Sequence, residues 1–548
     1  MPHLTSSLET NLSPRQRQVL DLIRQGKSNN EIAFELGIGL GTVKQHVVAL
    51  FRKLKVSRRT MALSRGNEQA TLLSQAMSFS PSEIILQRRP CIVLSMTLAT
   101  PSHETLRRMK TAMAVEAQET GDIFLPWRDT GCDVILGIEQ ATESAPLRAL
   151  QIAWRTANKL ADTFAGSALK GGLAAGLAVA SMHRRGGWSG EAIASSAIVL
   201  ARQQAIAAEP GMLNLDASIV DLLHLCGAHL QDSTSLLLPL KAPEALQWHD
   251  SEEKYRFHGR RQELDRLDNM LTTVLQSPHP GILSISGDAG IGKSRLCTQF
   301  MQFRRQAGHA VRHFRCLPSN EPLPIWDVHA KNTCTWEVLQ NSLPDDKNGV
   351  LIVDDAHWLT EKQKNTLLAL HADSQGVLCL VEREQTGTTT FVVPPLSRAE
   401  IETLAMEAIP ADAFTGASRT DLSRCIAALA GGNPLFALEM ARHRPTLNSL
   451  HSTTSQAKKY LPLNLLLLLT ANLDQTTLDR RLLGIVASRP DGITVENLIQ
   501  ILSEEEHAVQ NSVDEAVTSG VLSISATGCI GFVHPMFHNV INHLGMEP

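Results

Sequence analysis

The stretch Gly281–Leu296, GILSISGDAGIGKSRL, decides how the middle of this 548-residue chain folds. Ile282–Ser286 is a short apolar run with strand character, Gly287–Ser294 fits G-x-x-x-x-G-K-[ST], and Arg295–Phe303 continues as a helix. In such a strand-turn-helix, Gly287, Gly290 and Gly292 let successive backbone N–H groups face phosphate oxygens. Lys293 is placed to neutralise β- and γ-phosphate charge, and the Ser294 hydroxyl to ligate Mg2+. The pattern predicts a P-loop α/β domain with ATP or ADP and Mg2+ as cofactors.

Outward from that turn, GVLIVDDAHWL gives a strand, Val350–Val353, ending in Asp354 and Asp355. A P-loop fold needs an acid there for the metal, Asp354, and a neighbouring group to orient water, Asp355. Another strand, Val377–Val381, ends at Glu382 and Arg383. Arg383 is read either as a second catalytic group sensing the γ-phosphate or as half of a surface salt bridge. Only about sixty residues separate Ser294 from Asp354, so the region between the two motifs looks trimmed.

Length and composition set the frame. A chain of 548 residues exceeds one core and implies several domains, and 43% hydrophobic with 19% charged residues excludes disorder as its main state. The greasiest segment, Leu461–Leu473, is shorter than the ~20 residues a bilayer span needs. The first twenty residues lack the apolar region of a signal peptide, so a cytoplasmic protein with no membrane partner is expected. Nine cysteines without a Cys-x-x-Cys pair indicate neither a disulfide framework nor a zinc site. Net charge is −4, but residues 1–66 hold 11 Lys/Arg against 4 Asp/Glu, a local +7 that marks where a polyanion would bind.

In that basic segment Ser13 caps a helix with Pro14 at its first position, and Gly26 stops it. Ser28 and Glu31 repeat the grammar for a second helix closed by Gly37, and Val43, Val47, Leu50 and Leu54 give a third its apolar face. A helix, a Gly-containing turn and a helix with outward polar residues suit a major groove; the alternative is a helical dimerisation domain with a solvated basic face. From Leu12 to Arg59 the sequence resembles the LuxR-type (GerE-like) helix-turn-helix. That resemblance implies that Lys44, Gln45 and His46 lie on the DNA-facing start of the recognition helix, with Thr42, Lys53 and Arg59 on phosphates. Gln16, Gln18 and Lys55 depart from the family pattern.

After a polar linker at 67–87, a strand at Cys91–Leu98, helices near 103–118, 144–165 and 190–206, a hairpin across Ile123–Ile138 and a strand at Gly171–Ser181 suggest a ferredoxin-like palm. Gly190–Gly211 resembles the class III nucleotide-cyclase homology domain. In that family two aspartates hold metals; the matching positions here are Thr97 and Thr130, and Ala194 and Ile198 replace a transition-state asparagine and arginine. Asp129 and Asp133 lie close by without completing the set. The resemblance therefore implies a degenerate domain serving regulation, ligand sensing or dimerisation.

Phe257–Leu264, the P-loop, Asp354–Trp358, Pro394–Ile401 and Ala430–Phe436 together resemble the STAND group of AAA-like signalling ATPases. The resemblance implies that Gly259 and Arg260 lie by the adenine and that Asn433 and Pro434 reach the nucleotide from a helical subdomain. It also implies a winged helix over Leu461–Leu544, with His534 of Phe532–Pro535 either on a phosphate or packed in the core. The expected architecture is multidomain, α and α/β: helix-turn-helix 1–66, linker 67–87, ferredoxin-like cyclase-homology α+β domain 88–243, P-loop NTPase domain 244–400, helical subdomain 401–455 and winged helix 456–548.

The expected function is bacterial transcription regulation, with ATP binding or slow hydrolysis controlling a homo-oligomer on double-stranded promoter DNA. RNA polymerase is a further expected partner, and the inducer, a small molecule or a protein, is not named by the sequence. The rivals are an ATPase-regulated nucleotide cyclase and a signalling scaffold that binds no DNA.

Overall fold

A computed structural model describes residues 84–546 apart from 128–129, 165–168, 227, 231–233, 239–245, 249–254, 278–280, 318–324, 345–346, 384–388, 411–415, 444–460, 490 and 526. The helix-turn-helix segment, with Thr42, Lys44, Gln45, His46, Lys53 and Arg59, lies outside the described residues, as does Asp129.

The chain from Ile84 to Pro548 is one compact unit. It begins with β1 (Ile84–Leu98), α1 (His103–Thr120), β2 (Ile123–Pro126), β3 (Gly131–Leu136), α2 (Ala145–Phe164) and β4 (Leu169–His183). There follow β5 (Ala194–Ser195), α3 (Ser196–Ala207), β6 (Met212–Leu215), α4 (Ala217–Leu225), β7 (Ala228–Leu230), β8 (Ser235–Leu237) and β9 (Leu246–Trp248). The first sheet has the order β2-β3-β1-β4-β6-β8, with β5 against β4. Its spine is the antiparallel pair β1 and β4, in register from Ile84↔His183 to Leu98↔Leu169.

Alternation along β1 builds two cores. Ile92, Leu94, Met96 and Leu98 face α1 and α2 through Met109, Met113 and Leu150. Cys91 and Val93 face Ala197 and Ala201 of α3 on the other side. At Gly172 of β4 an added Cβ would stand 2.1 Å from the Ala201 carbonyl oxygen, so only glycine lets α3 lie this close. Two expectations shift. The helix expected over 190–206 starts at Ser196, because Ala194 and Ser195 pair with Val179 and Ala178, and the Ser195 hydroxyl accepts from Ala197 N. The strand starts at Ile84, inside the stretch expected as linker.

Next come α5 (Arg261–Leu275), β10 (Gly281–Ser286), α6 (Lys293–Gln306), β11 (Val311–Cys316), β12 (Ile325–Asp327), β13 (Asn332–Cys334), α7 (Trp336–Gln340) and β14 (Val350–Asp354). A 3-10 turn at Ala356–Trp358 leads to α8 (Glu361–His371), β15 (Val377–Val381) and β16 (Thr390–Val392). The order is β13-β12-β11-β14-β15-β10-β16. The five strands from β11 to β16 are parallel neighbours, and β15 separates the P-loop strand β10 from the acidic strand β14. The loops after β10, β14 and β15 therefore leave the same edge of the sheet, where ligands of open α/β sheets sit.

The rest is helical apart from a small hairpin: α9 (Arg398–Ala408), α10 (Gly416–Ala430), α11 (Pro434–Arg442), α12 (Leu463–Asp474), α13 (Arg480–Ala487), α14 (Val495–Leu502), α15 (Glu506–Thr518), β17 (Leu522–Ile524), β18 (Ile530–Phe532) and α16 (Pro535–Leu544). Ser397 and Glu400 form the capping box of α9, so the expected 400/401 boundary falls in a helical turn. One apolar core joins α9 to α16 through Ile401, Leu422, Leu465, Leu482 and Val540. Among the described residues no helix is long and apolar enough to cross a membrane.

The first sheet is bolted to these helices by buried charge. Arg89, fully buried on β1, donates to Asp474 at the end of α12 and, at 3.2 Å, to the Gly137 carbonyl. Arg480 donates to the same carboxylate, which also accepts from Ala141 N at 2.7 Å. Beside them Arg184 bridges Asp479 and Glu504, and Arg185 reaches Glu515 at 3.1 Å. Burial alone would raise the Asp474 carboxyl, but Arg89 and Arg480 outweigh it and hold it below the usual carboxylate range.

Because Asp474→Ala would leave two buried guanidinium groups unpaired, it should cost about 3–5 kcal/mol, read as a lower urea midpoint. The folded pKa of Asp474 is depressed, so its stabilisation is complete above about pH 4 and is lost as pH falls through the lower folded value. Asp474→Asn should flatten that acid limb. An unchanged acid limb would exclude this carboxylate as its source.

Candidate nucleotide-binding site

Between β10 and α6 the turn Gly287–Gly292 runs with positive φ at Gly287, Gly290 and Gly292. At Gly290, φ is +77°, and an added Cβ would stand 2.7 Å from the Leu435 Cβ, so backbone and packing both demand glycine. No side chain caps α6 at Gly292, which leaves the first N–H groups of the helix available to an anion.

The carbonyls of the turn are taken up one after another. Lys293 Nζ donates to Gly287 O at 2.7 Å and Asp288 O at 2.9 Å. Asn433 Nδ2 donates to Ala289 O at 2.9 Å, Leu435 N to Gly290 O at 3.3 Å, and Arg260 Nη2 to Ile291 O at 3.0 Å. Fixing the carbonyls on one side aims the N–H groups at the other. Burial pushes the Lys293 ammonium pKa down, against the pull of Asp355 and Asp354.

Asp354 ends β14 fully buried, with Oδ1 accepting from Asp355 N at 2.8 Å. Its Oδ2 lies 3.5 Å from His313 Nε2 and has no hydrogen-bond partner among the described residues. Burial would raise this carboxyl, but His313, Arg315 and the Ser294 hydroxyl bring it down to about 2, so it is ionised at neutral pH. An ionised oxygen met only at 3.5 Å by a histidine nitrogen, beside a serine hydroxyl, suits a Mg2+ that completes its shell with water and phosphate oxygens. Asp355 adopts φ +52°, rare for a residue with a side chain, and accepts from Arg315 Nε at 2.8 Å.

These groups surround one cleft. Of the expected residues, Arg260, Gly290, Gly292, Lys293, Ser294, Asp355, Arg383 and Pro434 line it, whereas Gly259, Gly287, Asp354, Asn433 and His534 do not. Arg260 and Asn433 act on the turn through its carbonyls. His534 Nδ1 accepts from Met536 N at the start of α16, its Nε2 lies 3.1 Å from Ala430 O, and its ring meets Phe436 edge-on at 5.5 Å. In this structure it packs as a capping histidine.

Among the lining residues not anticipated from sequence, four carry charge or a ring into the cleft's polar contacts. Arg315 holds Asp355, Glu143 reaches in from the first sheet to Arg383, Tyr255 stacks under Arg442 at 5.7 Å, and His357 lines the cleft beside Trp358. Burial lowers the His357 pKa to about 4, so the imidazole is neutral at pH 7. With Phe257, Leu404, Leu435 and Leu438, Tyr255 gives the cleft an apolar lining that suits a flat base.

In the β2–β3 hairpin of the first sheet the Asp133 carboxylate is already engaged. Asp133 accepts from Ser95 Oγ at 2.6 Å, Trp127 Nε1 at 2.7 Å and Arg202 Nη2 at 2.6 Å. Thr97 Oγ1 donates to Thr130 O at 2.6 Å, Ala194 is exposed on β5, and Ile198 lies in the α3 core.

Comparison with known proteins agrees with two parts of this picture. Residues 10–65 match the family described as bacterial regulatory proteins, luxR family, and residues 256–348 match the AAA ATPase domain. The putative HTH-type transcriptional regulator YhjB of Escherichia coli (strain K12) is 49% identical over 51 residues, 9% of this chain and 26% of that protein. DesR of Bacillus subtilis (strain 168), a transcriptional regulatory protein, is 37% identical over 71 residues, 12% of this chain and 36% of that protein. MalT of Yersinia pestis (strain Pestoides F), an HTH-type transcriptional regulator, is 41% identical over 68 residues, 12% of this chain and 7% of that protein. The chain thus spans about a third or less of the length of these relatives. Among solved structures, the adenylyl cyclase CyaB from P. aeruginosa is similar at 13% identity and TM-score 0.22, covering 26% of this chain and 83% of that one. Drosophila ORC bound to DNA is similar at 15% identity and TM-score 0.26, covering 54% and 89%. Likeness at this level assigns no fold by itself.

Asn433→Ala removes both the cap of α11 and the donor to Ala289 O. It should destabilise by about 1–2 kcal/mol and weaken ADP and ATP by the same factor, as titration calorimetry would show. A change in one nucleotide alone would contradict a role through the turn.

Proposed function

We propose that this chain is a DNA-binding transcriptional regulator whose oligomerisation and promoter occupancy are set by ATP binding, with slow hydrolysis as the reset. One observation carries the proposal: Lys293, Ser294, Asp355 and Arg383 converge on a single cleft in a chain whose residues 10–65 match the luxR family. Lys293 and the N–H groups of the turn would take the phosphates, Ser294 and Asp354 the Mg2+, and Asp355 a water. Arg383 would meet the γ-phosphate, with Gly259, Arg260 and the apolar lining residues toward the base. Thr42, Lys44, Gln45, His46, Lys53 and Arg59 would make the DNA contacts.

The division at 66, 87, 243, 400 and 455 belongs to the same proposal. Its last two parts are supported by the helices α9–α11 and by α13–α16 around the β17–β18 hairpin. A single head makes few base contacts, whereas two held by one oligomer read half-sites about 34 Å apart with raised effective concentration. Nucleotide state then controls occupancy through assembly. The cyclase rival has less support, because Asp133 is engaged by Ser95, Trp127 and Arg202.

In fluorescence anisotropy with promoter duplex, affinity should fall with salt by about 0.9 in log K per log salt for each phosphate contacted, and Gln45→Ala should lose sequence preference. Lys293→Ala should lose at least about tenfold in ATP affinity, and its DNA binding should ignore nucleotide. Asp355→Ala should keep ATP and stay in the DNA-binding state. Full nucleotide regulation in Lys293→Ala would refute the proposal.

A further inference from the structure

Glu143 belongs to the loop between β3 and α2, far in sequence from the P-loop, yet its carboxylate lines the nucleotide cleft together with Lys293, Ser294 and Asp355. Oε2 accepts from Arg383 Nη2, and Oε1 is buried without a hydrogen-bond partner among the described residues. Burial raises the Glu143 carboxyl pKa, against the pull of the Arg383 guanidinium and, more weakly, of Lys293.

The loop that delivers it is held at three points. Gly137 O accepts from Arg89, Ala141 N donates to Asp474, and the Glu143 carbonyl accepts from Cys226 Sγ at 3.3 Å. The buried Arg89–Asp474–Arg480 network therefore fixes where the carboxylate goes. A side chain placed by chance on a loose surface would have no such anchors.

We propose that Glu143 sets the preference of the cleft for a nucleoside diphosphate over a triphosphate. A diphosphate filling the turn leaves the Glu143–Arg383 pair intact. A triphosphate brings a third phosphate toward Arg383, where it meets a carboxylate of like charge and competes for the same guanidinium. The triphosphate binds only by displacing Glu143, and with it the contact between the first sheet and the ATPase sheet at this edge. The degenerate cyclase-like part thereby reads the phosphate count of its neighbour.

This rests on the cleft being the nucleotide site, and the test separates the two claims. Unlabelled ADP and ATP, each with Mg2+, would be titrated calorimetrically into the full chain and into Glu143→Gln and Glu143→Ala. With either substitution, ATP affinity should rise about tenfold while ADP affinity stays within about twofold. An ATP to ADP affinity ratio equal to wild type in both variants, or a parallel shift of both nucleotides, would overturn the role of Glu143 and leave the site standing. Wild-type protein that binds neither nucleotide would remove the site itself, and the inference with it.

Discussion

The glycine-rich turn between β10 and α6 depends on what holds its carbonyls. Five successive carbonyls, from Gly287 to Ile291, are engaged by donors outside or at the end of the turn: Lys293, Asn433, the Leu435 amide and Arg260. A peptide unit cannot turn its oxygen outward without turning its N–H the other way, so these bonds prearrange the anion cradle. Arg260 and Asn433 come from segments on either side of the sheet in sequence. The cradle is therefore a property of the assembled unit, and any motion of α11 against the sheet is felt at the turn.

The first sheet adds the second constraint. Three arginines, Arg89, Arg184 and Arg185, meet four carboxylates of the C-terminal helices. The buried pair of Arg89 with Asp474 gains little over apolar packing but resists separation, because a lone buried charge is costly. It suits a contact that should be either fully made or fully broken. The loop after β3 of the same sheet contributes Glu143 to the cleft, where it meets Arg383.

Much of this was legible in contiguous sequence. The P-loop, the acidic strand ending at Asp354 and the strand ending at Arg383 are each short local patterns, and each lies where its pattern places it. What was illegible depends on partners far along the chain. The strand is expected only from Cys91, yet Arg89 is buried in it because Asp474, 385 positions away, compensates it. Ala194 and Ser195 leave the helical pattern because β4 pairs with them. Glu143 carries no local mark, and Arg383, read as a γ-phosphate sensor or a surface pair, binds an acid inside the cleft. His534, open between a phosphate contact and core packing, is held here by Met536 and Phe436.

Maps of bound DNA across the genome, taken in cells carrying wild type and in cells carrying Lys293→Ala at equal abundance, test the central claim most directly. The account predicts discrete promoter sites for wild type and their loss in the variant. The same sites occupied to the same extent by both proteins would contradict control of DNA by the nucleotide cleft.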